Sequence, residues 1–121
     1  MSARILSAGA LLAALGVILG AFGAHALRDA LGPVELGWWQ TAVQYQMWHA
    51  ITLVALSALP LPRLGLPAAL LGGGTVILSG TLYLMALTGA RWLGALTPLG
   101  GTLMIAGWLL LLRRAWSTPL R

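Results

Sequence analysis

The 121-residue chain is 60% hydrophobic and only 7% charged, with a formal net charge of +5 at pH 7 and a mean hydropathy of +0.92. A soluble globule of this size cannot hide that much apolar surface, so the surrounding solvent is expected to be mostly lipid. All seven basic residues are arginines, spread between apolar blocks against two acids, which disfavours a phosphate-binding face and nucleic acid as a partner; the absence of cysteine excludes disulfides, thiolate metal sites and cysteine nucleophiles.

The first predicted element runs from Ile5 to Leu27 and ends in GAFGAHAL, residues 20–27. Its closing Ala24-His25-Ala26 has the small-x-small form of a signal-peptidase site. The apolar core, however, exceeds the roughly 7 to 15 residues of a signal peptide, so a permanent membrane span is expected. A stripe of Gly16, Gly20 and Ala24 on this helix, with Gly23 beside it, predicts close helix packing or self-association.

Three further runs reach the roughly 20 residues that a helix needs to cross the hydrocarbon core: Trp38 to Leu59, Leu66 to Thr88 and Leu93 to Leu112. The expected fold is therefore all-α, an integral membrane four-helix bundle in one domain, with short connections between antiparallel neighbours. Gly32-Pro33 with Glu35 predicts that helix two starts near Pro33, and Pro67 is expected to open helix three. Pro98 either kinks helix four or starts it; the kink is expected, because a start there leaves only about 15 residues before Arg113. Gly80, Gly100 and Gly101 are read as packing positions on the last two helices.

Arginine placement predicts the orientation. Arg4, Arg63, Arg113, Arg114 and Arg121 fall on the side of the termini, and Arg28 and Arg91 on the other, so both termini are expected in the cytoplasm. Trp38, Trp39, Trp92, Trp108 and Trp116 are read as interfacial anchors near span ends, with Trp48 deep in span two.

Within the spans, the polar residues suggest a seam. Thr41, Tyr45, His49 and Thr52 share one face of helix two, leading from the outer surface to the mid-plane. His49 is either a neutral imidazole joining helices through Ser79, Tyr83 or a backbone carbonyl, or a proton relay or ligand contact, or, least in keeping with its surroundings, a metal or haem ligand. Paired axial histidines are disfavoured, since His25 and His49 differ in depth by about 13 Å. At the outer end, His25, Thr41, Gln44, Tyr83 and Arg91 are grouped as a candidate polar mouth above Tyr45, His49 and Ser79, with Asp29 and Arg91 as a pair across it. Both acids lie in the segment 28–37, so an intramembrane carboxylate dyad is excluded, and neither HExxH nor a Walker loop occurs. No catalytic residue, metal or cofactor is expected. The chain is read as a non-enzymatic lipid- or small-molecule-binding bundle, with an assembly subunit docking partner helices, and a proton-coupled transporter using His49, as alternatives.

Four motifs, GAFGAHAL at 20–27, WQTAVQYQMWHA at 39–50, SGTLYLMALTG at 79–89 and TPLGG at 97–101 followed by Gly107-Trp108, resemble the small four-span membrane family known as domain of unknown function 423, which includes a short animal transmembrane relative. The resemblance implies a bacterial-type inner-membrane protein and supplies no activity. Its recurrent residues fall here on Gly20, Gly23, His25, Thr41, Tyr45, His49, Ser79, Tyr83, Pro98 and Gly100. The first loop departs from the family's lysine-rich tendency, since the chain contains no lysine.

Overall fold

The computed structural model describes residues 2–119. Its architecture is all-helical: α1 (Ala3–His25), α2 (Pro33–Leu56), α3 (Gly65–Thr88), a 3-10 turn (Arg91–Ala95) and α4 (Thr97–Ser117). Local chemistry explains the helix ends. Ser2 caps α1 by accepting the Ile5 N–H at 3.3 Å. Pro33 opens α2, where its missing N–H would be unpaired in any case, and Glu35 lies in the first turn at the positive end of the dipole. Gly89 closes α3 in the left-handed region, with φ 71°.

The structure decides the role of Pro98. It sits in the first turn of α4, which begins at Thr97, while Arg91–Ala95 forms the separate 3-10 turn. The expected kink, and with it a helix running continuously from Leu93, is therefore corrected. Proline lacks an N–H and is pre-set for a first turn, and the α4 helix regains length at its other end by continuing to Ser117.

Each helix packs antiparallel on its neighbour in sequence. On α1 and α2, the pairings Leu19 with Trp39 and Leu12 with Gln46 run in opposite directions. On α2 and α3, Ala42 clusters with Leu82 and Met85 near one end, and Leu53 and Leu56 with Ala68 and Leu71 near the other. Among the described residues, no Cα of α4 comes within 8 Å of a Cα of α1 or α2, beyond the nearest chain neighbours. The helices therefore form a serial array in which α1 and α4 are flanks.

Small residues set how closely neighbours approach. A Cβ added at Gly100 would meet the Leu78 backbone nitrogen at 2.5 Å and the Gly74 carbonyl at 2.7 Å, so α3 and α4 are in backbone contact there. Gly9 likewise brings α1 against the Ala50 and Val54 backbone of α2, while Gly16 and Gly23 seat the Met47 and Trp39 side chains. Gly20 is slightly looser, with Val43 at 3.3 Å. Gly101 is in ordinary contact with Leu78 at 3.7 Å, and nothing lies within 4 Å of a Cβ at Gly80, so those two positions are not where α3 and α4 are held together. In a lipid solvent this close packing is a main source of helix association.

Candidate functional site

Among the described residues, three segments are long and apolar enough to cross a membrane: α1, α3 and Arg91–Ser117. The helix α2 has the length, but it carries the polar side chains, and these form the centre of the array. Gln46, 4% exposed, donates its Nε2 to the Leu12 carbonyl of α1 at 2.8 Å and accepts the Tyr83 hydroxyl of α3 at 2.6 Å. Trp39 donates its indole N–H to the Leu19 carbonyl at 2.8 Å, and Ser79 donates its hydroxyl to the Ala42 carbonyl at 2.7 Å. Each bond uses a spare lone pair on a carbonyl or amide, so helical hydrogen bonding is kept while two helices are joined.

His49 completes the set. Its Nδ1 lies 2.8 Å from the Tyr45 carbonyl and its Nε2 3.0 Å from the Trp108 indole nitrogen on α4. A carbonyl only accepts and an indole N–H only donates, so Nδ1 carries the proton and Nε2 the lone pair. The ring is thus a neutral bridge whose two nitrogens are both occupied. A second proton on Nε2, or a metal there, would displace Trp108. Among the described residues, every buried side-chain nitrogen and oxygen has a hydrogen-bond partner, and no group of three His, Cys, Asp or Glu side chains gathers to hold a metal.

The backbone carbonyl foreseen as a partner of His49 is present, but Ser79 and Tyr83 are bonded elsewhere, to Ala42 and Gln46. Trp108, expected near a span end, instead reaches the buried His49, with ring centroids 5.8 Å apart. Tyr45 stacks on His49 with ring planes 9° apart. Of the residues grouped as an outer mouth, His25, Thr41, Gln44 and Arg91 are exposed, and Arg91 lies over the Trp38 ring at 5.3 Å. A recess of about 240 Å³ between α1 and α2 includes Gln44 but none of the others in that group.

A wider recess lies at the opposite end, beside the termini. It is a groove of about 830 Å³ between the first half of α1, the end of α2 and the first half of α3. Small residues create it. Ala8 on α1 and Ala69, Gly72 and Gly73 on α3 leave space that larger side chains would fill, and a Cβ at Gly73 would meet nothing within 4 Å. The floor is apolar, with Leu53 and Leu56 of α2, and the rim residues Leu11 and Val76 are 61% and 59% exposed, so the groove opens sideways. Arg4 and Arg63 stand at its terminal end. Sequence reasoning read those arginines only as topology markers; the available signal for the groove was Gly72-Gly73-Gly74, since three adjacent glycines cannot all face the same neighbour.

Apolar helices joined by internal polar bonds, with a laterally open apolar groove, define an all-helical integral membrane protein. A family described as "Protein of unknown function (DUF423)" matches residues 19–101. The chain belongs to that family. It is 44% identical over 107 residues to a UPF0382 membrane protein of Staphylococcus haemolyticus, covering 86% of this chain and 88% of the relative. It is also 41% identical over 100 residues to the UPF0382 inner membrane protein YgdD of Escherichia coli, covering 79% and 76% respectively. No solved structure matches the chain.

Proposed function

We propose that this protein crosses a bacterial inner membrane four times, with both termini in the cytoplasm, and works as a non-enzymatic lipid-binding bundle. The fourth crossing is α2. It lies between α1 and α3 along their lengths and exposes Trp48, Ile51 and Val54, so it shares the depth of the two apolar helices that flank it. Among the described residues Arg4, Arg63, Arg113 and Arg114 fall on the side of the termini against Arg28 and Arg91 on the other, which supports the orientation; Arg121 lies outside the described residues. A reporter active only in the cytoplasm, fused at Pro62, is expected to be active, as is one active only outside, fused at Gly32. The reversed pattern would invert the topology.

The observation that carries lipid binding is the groove. It follows α3 from Gly65 to Val76, a rise of about 16 Å, which matches half of the roughly 30 Å hydrocarbon core. An acyl chain entering sideways from one leaflet therefore finds an apolar channel of its own length. The polar side chains Trp39, Gln46, His49, Ser79 and Tyr83 support a different role, because their hydrogen-bonding groups are already used in joining helices. The close-packed glycines likewise meet helices of the same chain, leaving little of the docking surface that an assembly subunit would need. Purification in mild detergent is expected to retain a lipid by native mass spectrometry. Gly73→Leu, which fills open space in the groove, is expected to abolish retention; unchanged retention in that variant would sink the reading.

A further inference from the structure

We infer that the groove selects an anionic phospholipid of the cytoplasmic leaflet, with Arg4 and Arg63 holding its phosphate. This rests on the lipid-binding reading and adds the headgroup to it. Arg4 from the first turn of α1 and Arg63 from the α2–α3 loop both line the terminal end of the groove, and both are exposed. Arg114 joins them from α4, donating its Nε to the Arg63 carbonyl at 3.3 Å. Two helices and a loop thus bring guanidinium groups to this end of the array, with Arg4 and Arg63 lining the mouth itself.

Two features set this cluster apart from ordinary topology charges. The chain's only acidic side chains, Asp29 and Glu35, belong to the other end of the array, so no carboxylate side chain of this protein can neutralise these arginines. Arg63 is also the only non-glycine residue among those described with a positive φ, at 59°. That conformation disfavours L-residues other than asparagine and aspartate, so a topology charge alone gives no reason to place an arginine there. The loop is held in place beneath it: Ser57 accepts the Ser2 N–H at 3.0 Å, and α4 holds the Arg63 carbonyl. Apolar channel below and paired guanidinium groups at headgroup level complement a phospholipid carrying net negative charge. Zwitterionic lipids satisfy the channel but bring their own cation to the mouth.

The test is native mass spectrometry of protein reconstituted in equimolar phosphatidylglycerol and phosphatidylcholine, then extracted in mild detergent. Each arginine near an anionic surface contributes a factor of about five, so the unsubstituted protein is expected to retain phosphatidylglycerol roughly twentyfold over phosphatidylcholine. Arg63→Asn keeps a residue that tolerates the left-handed backbone and is expected to lower the preference about fivefold. Combined with Arg4→Gln it should leave both lipids retained equally. Equal retention by the unsubstituted protein, or a preference that survives the double variant, overturns the headgroup assignment while leaving the lipid seat intact. Retention of neither lipid by the unsubstituted protein removes the seat itself.

Discussion

The two ends of the helix array are built from the same kinds of residue and do opposite things. At the loop end, Trp39 fills the notch at Gly23 and meets Tyr83 edge-on at 4.6 Å, with Leu27 and Ala86 packed around it. Here glycine is a socket for a large neighbour. At the terminal end, Gly73 faces open space beside Ala69, and the groove remains. A glycine in a membrane helix thus brings helices together only where a partner side chain or backbone arrives to use the space; otherwise it leaves a recess.

The strongest way to break the contrast is to damage a filled notch. Gly100→Leu drives a side chain into the Leu78 and Gly74 backbone, which cannot retreat as a flexible side chain can. It is expected to destabilise the protein by about 3 kcal/mol or more, read as a large drop in thermal midpoint in detergent. Gln46→Leu leaves the Tyr83 hydroxyl without its acceptor and removes the tie to Leu12, for an expected loss of about 1 to 3 kcal/mol. Adding Tyr83→Phe should then cost less than it does alone; strict additivity would show that the bond is not formed.

The open end should respond in the other direction. Gly73→Leu replaces a helix-interior glycine with a better helix former at a position where an added Cβ meets nothing within 4 Å, so stability should rise by up to about 1 kcal/mol while lipid retention falls. A loss of stability comparable to that of Gly100→Leu would erase the distinction between notch and recess. The smallest effect is expected for Trp108→Phe, about 0.6 kcal/mol, typical of an interhelical hydrogen bond in a membrane. Nitrogen NMR should show His49 protonated at Nδ1 and bare at Nε2. The reverse tautomer would contradict the bridge.

Much of the fold could be read from the chain because apolar run length and proline or glycine punctuation act locally. The start at Pro33 follows directly from backbone chemistry, whereas α3, expected to open at Pro67, begins two residues earlier at Gly65 and takes Pro67 into its first turn. The same locality explains the error at Pro98. Both outcomes suit proline, and the choice depended on α4 extending through Arg113 and Arg114, which apolar run length alone did not count. Partners were the least legible part. Trp108 meets His49 across 59 positions of sequence, and a tryptophan near a run end looks the same whether it anchors in the interface or reaches inward. The groove was hidden for a related reason, since an empty space is defined by three elements at once and has no residue pattern of its own.

The serial order of the helices bears on how the protein is made. Chain order and spatial order nearly coincide, so each helix leaving the ribosome can dock on its predecessor without keeping a place open for a later arrival. The α1–α2 hairpin already contains both of its own ties, Trp39 to Leu19 and Gln46 to Leu12, before α3 is synthesised. Tyr83 and Ser79 are then added by α3, and Trp108 by α4. A nascent chain stalled after Leu64 should therefore hold a protease-resistant hairpin in the membrane, whereas one carrying Gln46→Leu should lose that early foothold while later helices are still inside the ribosome.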